Sequence, residues 1–474
     1  MSLKRATISN VKWSFVESIS LKLIGFILTI ILARLLSPED FGVLAVVNVF
    51  YLLTNSFIDG GLKDALIRKQ GATDAEYSSV FWMNLILAIL FYLILFTAAP
   101  IIQDFYGYEN LTFFIRLQAL SLIIDSLALI QIVKSVKDLN LKKVSQARIP
   151  ASLISFIVGI LMAYMGFGVV ALITQQLVNS ALYVTILWFR VKYIPSMDFS
   201  WRLLMPLYGF GLKLFIAGYL NRIYVQSMNL IFAKFYSPAP LGLYTKAKNL
   251  QLTPSSLVID SIASGIYPTM VKLQDDNSKL KAFYVKNIQI TFALICGIST
   301  LMYFQAEIIV SMLLGNKWLD MVPFLKVLAI GGLFMPLTQI NRNMLKVKGL
   351  AGLYLKLEVI RKVMLIALIF FFINYSFITT IIAITCGGAL MTIIDMHFAG
   401  LKIKYTLIEQ LVDILPYFII IFSVGLFTNY LIGFAQLNEI YQLGLFSMTF
   451  FVLSALIIFF LKRKIINEII LLFK

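Results

Sequence analysis

The sequence predicts an all-α polytopic membrane protein of about 14 transmembrane helices, and three observations predict it. Of 474 residues, 60% are hydrophobic and only 13% are charged, about half the charge of a soluble chain, which carries roughly 25%. Mean hydropathy is +0.90, and the apolar residues gather in uncharged stretches such as 81–102 and 417–434, each near the ~20 residues that cross a bilayer. Third, Lys and Arg crowd into every second connection between these stretches.

The spans follow in order. Segments 11–33 and 41–62 flank Arg34 and lead to Lys63, Arg68 and Lys69. Segments 80–102 and 111–133 lead to Lys134, Lys137, Lys142, Lys143 and Arg148, and 149–165 and 167–189 lead to Arg190, Lys192 and Arg202. Segments 206–232 and 241–268 flank Lys234 and precede Lys272, Lys279 and Lys281. Segments 286–306 and 322–345 flank Lys317 and precede Lys346 and Lys348, while 353–373 and 376–400 precede Lys402 and Lys404. The last pair, 411–433 and 441–461, ends at Lys462, Arg463 and Lys464. The sparse set of connections holds only Arg34, Lys234 and Lys317. Cytoplasmic loops are the basic ones, so the rich set faces the cytoplasm. Lys4 and Arg5 place the N-terminus there, and an even number of spans returns the C-terminus to the same side.

The same rule accounts for the net charge of +17, which in a soluble chain would suggest nucleic acid. No nucleic-acid partner is predicted. Cys296 and Cys386 lie in apolar stretches and read as small buried hydrophobes. The single histidine, His397, forms no metal site by itself, and no cofactor is predicted. No cleavable signal peptide is evident, because the first apolar segment is too long. The chain has no G-x-x-x-x-G-K-[ST] loop to drive transport with ATP. It has neither a D-x-D motif nor a long outer loop for a glycosyltransferase or polymerase, so it is not expected to be an enzyme.

A repeat runs through the chain. Ala33-Arg34-Leu35-Leu36-Ser37-Pro38-Glu39-Asp40-Phe41-Gly42 recurs 200 residues later as Ala233-Lys234-Phe235-Tyr236-Ser237-Pro238-Ala239-Pro240-Leu241-Gly242. In each copy Pro after Ser stops one helix, and a Gly lies at the start of the next. Ile58-Asp59 has its counterpart in Ile259-Asp260. The reading is two parallel six-helix repeats, residues 1–200 and 201–405, followed by two additional helices in 406–474. Each half has an even number of spans, so both have the same orientation, the arrangement of transporters that alternate between faces of the membrane.

The first copy resembles the signature of Wzx-type polysaccharide exporters in the multidrug/oligosaccharidyl-lipid/polysaccharide exporter superfamily, on the colanic-acid-exporter branch. Phe81-Trp82, Gly166-Phe167-Gly168-Val169-Val170-Ala171-Leu172, Leu241-Gly242-Leu243-Tyr244 with Ala247, and Leu314-Gly315-Asn316-Lys317-Trp318 extend the resemblance over nearly the whole chain, most weakly after about 405. It implies a MATE-like two-lobe transporter around a central cavity, in the bacterial inner membrane. It also implies a lipid-linked oligosaccharide on undecaprenyl diphosphate as substrate, moved to the outer leaflet, with polysaccharide polymerase machinery as a partner. Where the family often has an acid in the seventh span this chain reads Met228-Asn229, so an acidic role there does not carry over.

Carrying a diphosphate across about 30 Å of hydrocarbon requires a polar path, since a charge at the bilayer centre costs at least about 2.5–3.5 kcal/mol. Intramembrane polar residues are therefore the candidates. Arg222, Gln226 and Asn229 share a face of the seventh span, and Lys248, Gln251 and Ser255 share one in the eighth. Asn48, Asn55 and Asp59 do so in the second, with Asn48 opposite Lys248 and Asn55 opposite Ser255 in the repeat. Arg222 and Lys248 are candidate phosphate contacts, and Glu17 and Lys22 are candidate cavity residues in the first span. Helix–helix hydrogen bonding is the alternative reading of these faces. Arg361 and Lys362 are candidates for a basic cytoplasmic vestibule. Asp59 and Asp260 are candidates for coupling to an ion, H+ or Na+. Arg116 and Asp125 in the fourth span also require partners. The competing function is an ion-coupled exporter of small organic cations on the same fold, which the two aspartates favour and the mid-span cations oppose.

Overall fold

The computed structural model describes the backbone of residues 3–433 and 438–461; the side chains of 3–9, 11, 14, 15, 213, 214, 217, 220, 221, 260–264 and 458–461 lie outside the described set. Every described regular element is a helix. Eleven described segments are long and apolar enough to cross a membrane, and the chain is a multi-pass membrane protein. Each of the fourteen expected spans falls on one long helix or on consecutive shorter ones. The three outside the eleven (predicted 206–232, 241–268 and 353–373) are helices as well.

Two compact units divide the chain at 242/243. The first contains α1 (Leu3–Leu35), α2 (Pro38–Asp59), α3 (Leu62–Arg68), α4 (Asp74–Tyr106), α5 (Leu111–Ser126), α6 (Leu129–Lys137), α7 (Leu141–Tyr164), α8 (Val169–Val191) and α9 (Trp201–Phe235), with the first turn of α10 (Pro238–Lys272). Local chemistry sets these boundaries. Ser37 and Asp40 form a capping box at the start of α2: the Asp40 amide donates to Ser37 Oγ (3.2 Å) and the Ser37 amide to Asp40 Oδ2 (2.8 Å). Such a cap is worth about 1 kcal/mol, and Pro38 fits the first helical turn, where no amide donor is needed. Thr73 and Glu76 repeat the device on α4. Gly60 and Gly61, both left-handed (φ +51° and +75°), end α2 and turn the chain into α3.

The contact boundary falls after α9 instead of at residue 200, because α9 packs on α2, α3 and α4. The connection 192–200 is tied to the same surface. Ser78 Oγ accepts from the Ser196 amide and Ser79 Oγ from the Ser200 amide, both at 2.9 Å. Trp82 Nε1 donates to the Ser196 carbonyl (2.9 Å) and Gln131 Nε2 to that of Tyr193 (2.7 Å). Lys134 sits between the rings of Tyr77 and Tyr193, 4.0 and 4.2 Å from their centres.

The second unit holds the rest of α10, then α11 (Asn277–Phe304), α12 (Ala306–Leu314), a 3-10 turn over Asn316–Met321, α13 (Val322–Gly332), α14 (Phe334–Val347), α15 (Ala351–Phe372), α16 (Phe377–Leu401), α17 (Leu407–Gly433) and α18 (Glu439–Leu461). Its core runs through Tyr284, Ile288, Phe292, Met344, Met396, Phe446 and Phe450. The two additional helices belong to this unit: α17 packs on α11, and α18 on α17 and α12.

Candidate functional site

In the first unit α2 and α9 are held together by Phe57, whose ring lies 4.2 Å from Tyr219 and 5.3 Å from Phe215, centre to centre. Beside this aromatic contact Arg222 donates to Ser56 Oγ on α2. A guanidinium has five donors in a fixed fork, so one hydroxyl contact fixes its direction without exhausting it. One turn further Asn229 Nδ2 donates to Gln226 Oε1 (3.3 Å). The expected polar face of the seventh span is present, and it is anchored to the second span.

Behind α2 lies a cavity of about 330 Å³ lined by residues of α2 to α8. Asn55 and Asp59 line it, as expected, together with Tyr51, Lys63, Asn84, Asp125, Arg148, Asn179, Ser180 and Tyr183. Asp125 accepts from the Tyr51 hydroxyl. Asp59 lies in the field of Lys63 and Asp64, and more weakly in that of Arg222. Two acceptors, Asp59 Oδ1 and Asn84 Oδ1, are buried without a partner among the described residues, although Asn84 Nδ2 donates to the Ile58 carbonyl (2.9 Å). Orphaned acceptors are costly in a low-dielectric interior. A cation, a water or a hydroxyl would relieve them.

The other predicted residues of this unit stand apart from the lining. Glu17 reaches it through an ion pair with Arg148 (3.2 Å) and also accepts from Ser145 Oγ (2.7 Å). Lys22 is half-buried on α1, and Asn48 is half-buried on α2 with its Oδ1 unpartnered among the described residues. Sequence reasoning singled out Asp125 as needing a partner but took Arg148 as a loop cation. Their neighbours Tyr51, Asn84 and Asn179 gave no signal, since single polar residues in apolar helices are common.

In the second unit Lys248 stands 5.7 Å from the centre of the Tyr244 ring. Gln251 is buried, donates to Ser255 Oγ (3.2 Å), and lies so close to Gly332 on α13 that a Cβ there would overlap its amide. Gln251 therefore packs helix against helix. Arg361 and Lys362 belong to an ion network on α14, α15 and α16: Arg361 pairs with Asp395, Arg342 with Glu358 and with Asp395 (3.5 Å), and Lys362 with Glu358 (3.5 Å). This network lets α15 half-bury three charges, Glu358, Arg361 and Lys362. The Asp260 side chain lies outside the described residues.

A family model described as polysaccharide biosynthesis protein matches residues 31–323. The lipopolysaccharide biosynthesis protein WzxC of Escherichia coli (strain K12) is 24% identical, over 89% of this chain and 82% of its own. The succinoglycan biosynthesis transport protein ExoT of Rhizobium meliloti (strain 1021) is 24% identical over 69% and 66%, respectively. A solved structure of the lipid II flippase MurJ in an inward closed conformation shares the fold, with a TM-score of 0.72 at 14% identity, covering 96% of this chain and 99% of that one.

Proposed function

The chain belongs to the polysaccharide biosynthesis protein family, and from that premise we propose that it moves an undecaprenyl-diphosphate-linked oligosaccharide from the inner to the outer leaflet of the bacterial plasma membrane, without altering it covalently. The observation that carries this reading is Arg222, a guanidinium in a membrane helix directed by one hydroxyl of α2, the helix whose Asn55 and Asp59 line a polar cavity. Arginine matches phosphate oxygens in a two-pronged geometry, and the diphosphate is the part of the cargo that hydrocarbon rejects most strongly. Gln226, Asn229 and Asn55 then supply donors and acceptors to sugars or phosphate, and Asp59 supplies a carboxylate to a coupling proton or sodium ion. Polysaccharide polymerase machinery would receive the product.

The test is reconstitution into liposomes carrying undecaprenyl diphosphate linked to a short glycan, with periodate reporting which leaflet holds the sugar. Glycan should cross in minutes in the presence of the protein, and faster under a proton or sodium gradient; no crossing above empty liposomes under any gradient defeats the proposal. The unpartnered Asp59 Oδ1 and Asn84 Oδ1 favour a second reading, export of a small organic cation. Dye efflux from the same liposomes, with no movement of glycan, would establish it.

The proposed sidedness has its own check. Reporter fusions after residue 474 and at residue 345 should be active only as cytoplasmic reporters, and fusions at 107 and 317 only as exported ones. Uniform behaviour at all four sites would overturn the assignment from loop charge.

A further inference from the structure

The Ser-Pro repeat has no part in the site, yet the structure brings its two copies into direct contact. A Cβ added to Gly42 would overlap the carbonyl oxygen of Pro238. One added to Gly242 would overlap the carbonyl oxygen of Pro38 and stand 3.0 Å from the Gly42 amide nitrogen. The contact is reciprocal, backbone on backbone, where α2 and α10 begin. At the far end of α2 the same geometry recurs with α9: a Cβ on Gly61 would overlap the Gly211 carbonyl oxygen, and one on Gly211 would stand 2.7 Å from that of Gly61. Side groups hold the first crossing in register. The Tyr108 hydroxyl donates to the carbonyls of Ala233 (2.8 Å) and Tyr236 (3.2 Å), and Lys234 donates to that of Phe105. Between the two crossings lie Asn48 and Asn55 on α2, and Arg222, Gln226 and Asn229 on α9.

Glycine faces permit the tightest approach of two helices in a membrane, and such contacts are held by dispersion and weak Cα–H···O bonds. They exclude water without interlocked side chains, and parting them costs little beyond the Tyr108 and Lys234 hydrogen bonds at the first crossing. We propose that the two crossings are the outer and inner barriers of the transport path, each closed in this structure, and that they part alternately. The proposal rests on the transport reading above and on its sidedness, with the Pro38 end outside and the Gly61 end facing the cytoplasm. The repeat then has a physical reason: both copies must present a glycine one turn inside the helix for the closure to be mutual.

Gly42→Ala, Gly242→Ala and Gly211→Ala place one methyl group in a crossing while improving helix propensity, so the variants should fold, as thermal unfolding in detergent would check. The reporter is Gln226→Cys in a background with Cys296→Ala and Cys386→Ala, labelled by a membrane-impermeant maleimide in right-side-out and inverted vesicles. Gly42→Ala and Gly242→Ala should raise the labelling rate severalfold from the outside only, and Gly211→Ala from the cytoplasmic side only. Unchanged labelling in folded variants, or a rise from both sides alike, overturns the proposal. Mirror-image labelling supports the paired barriers and overturns the sidedness. Correct labelling, with no glycan moved by the protein whose Gln226 is unsubstituted, supports the barriers and defeats the reading of the cargo.

Discussion

Arg222→Ala should reduce glycan export by about 10- to 100-fold while leaving the protein inserted and abundant. Hydrogen bonds to charged groups are worth about 1.5–3 kcal/mol, and each 1.36 kcal/mol is tenfold in rate. The structural loss is small, because the guanidinium is exposed and bonded to the Ser56 hydroxyl, with the aromatic contacts of Phe57 left intact. Arg222→Lys should retain part of the activity, since the charge remains but the fork does not. Surface polysaccharide measured against protein level in the membrane decides the matter. Normal polysaccharide in the alanine variant would remove Arg222 from the site.

Asp395→Ala should be the most destabilising single change in the second unit. Asp395 is buried and shared by Arg361 and Arg342, so its removal leaves two arginines facing each other in low dielectric with Glu358 as the remaining carboxylate. Breaking a buried ion pair from one side costs about 3–5 kcal/mol, a large part of the ~5–15 kcal/mol that holds a typical domain. Little folded protein should be recovered in detergent, with a lowered melting temperature for what remains. Asp395→Asn should be milder, since the amide oxygen still accepts a bond. A melting temperature equal to that of the parent in both variants would show that the network is solvated and dispensable.

The helices were legible because apolar runs of membrane length are unmistakable and because loop charge alternates. The Ser37-Pro38 and Ser237-Pro238 boundaries were legible for a local reason, a proline at the helix start. The packing of α9 was not: it lies on α2, α3 and α4, and packing partners leave no trace in hydropathy. The Arg222 face was readable from helical spacing. The cavity was only half readable, because Asn55 and Asp59 carry a period but Asn84, Arg148 and Asn179 come from three other helices and meet only in three dimensions. Gln251 shows the opposite error. It shares a face with Lys248, yet that face is packed against α13.

The tethering of residues 192–200 to Ser78, Ser79, Trp82 and Gln131 bears on how the chain is made. Every anchor of that tether is synthesised before the segment it holds, so the seventh helix leaves the ribosome with its landing place already built. Domains tend to fold as units during synthesis, N-terminal first. The helices of the first 242 residues can therefore pack on one another while the remainder is still being translated.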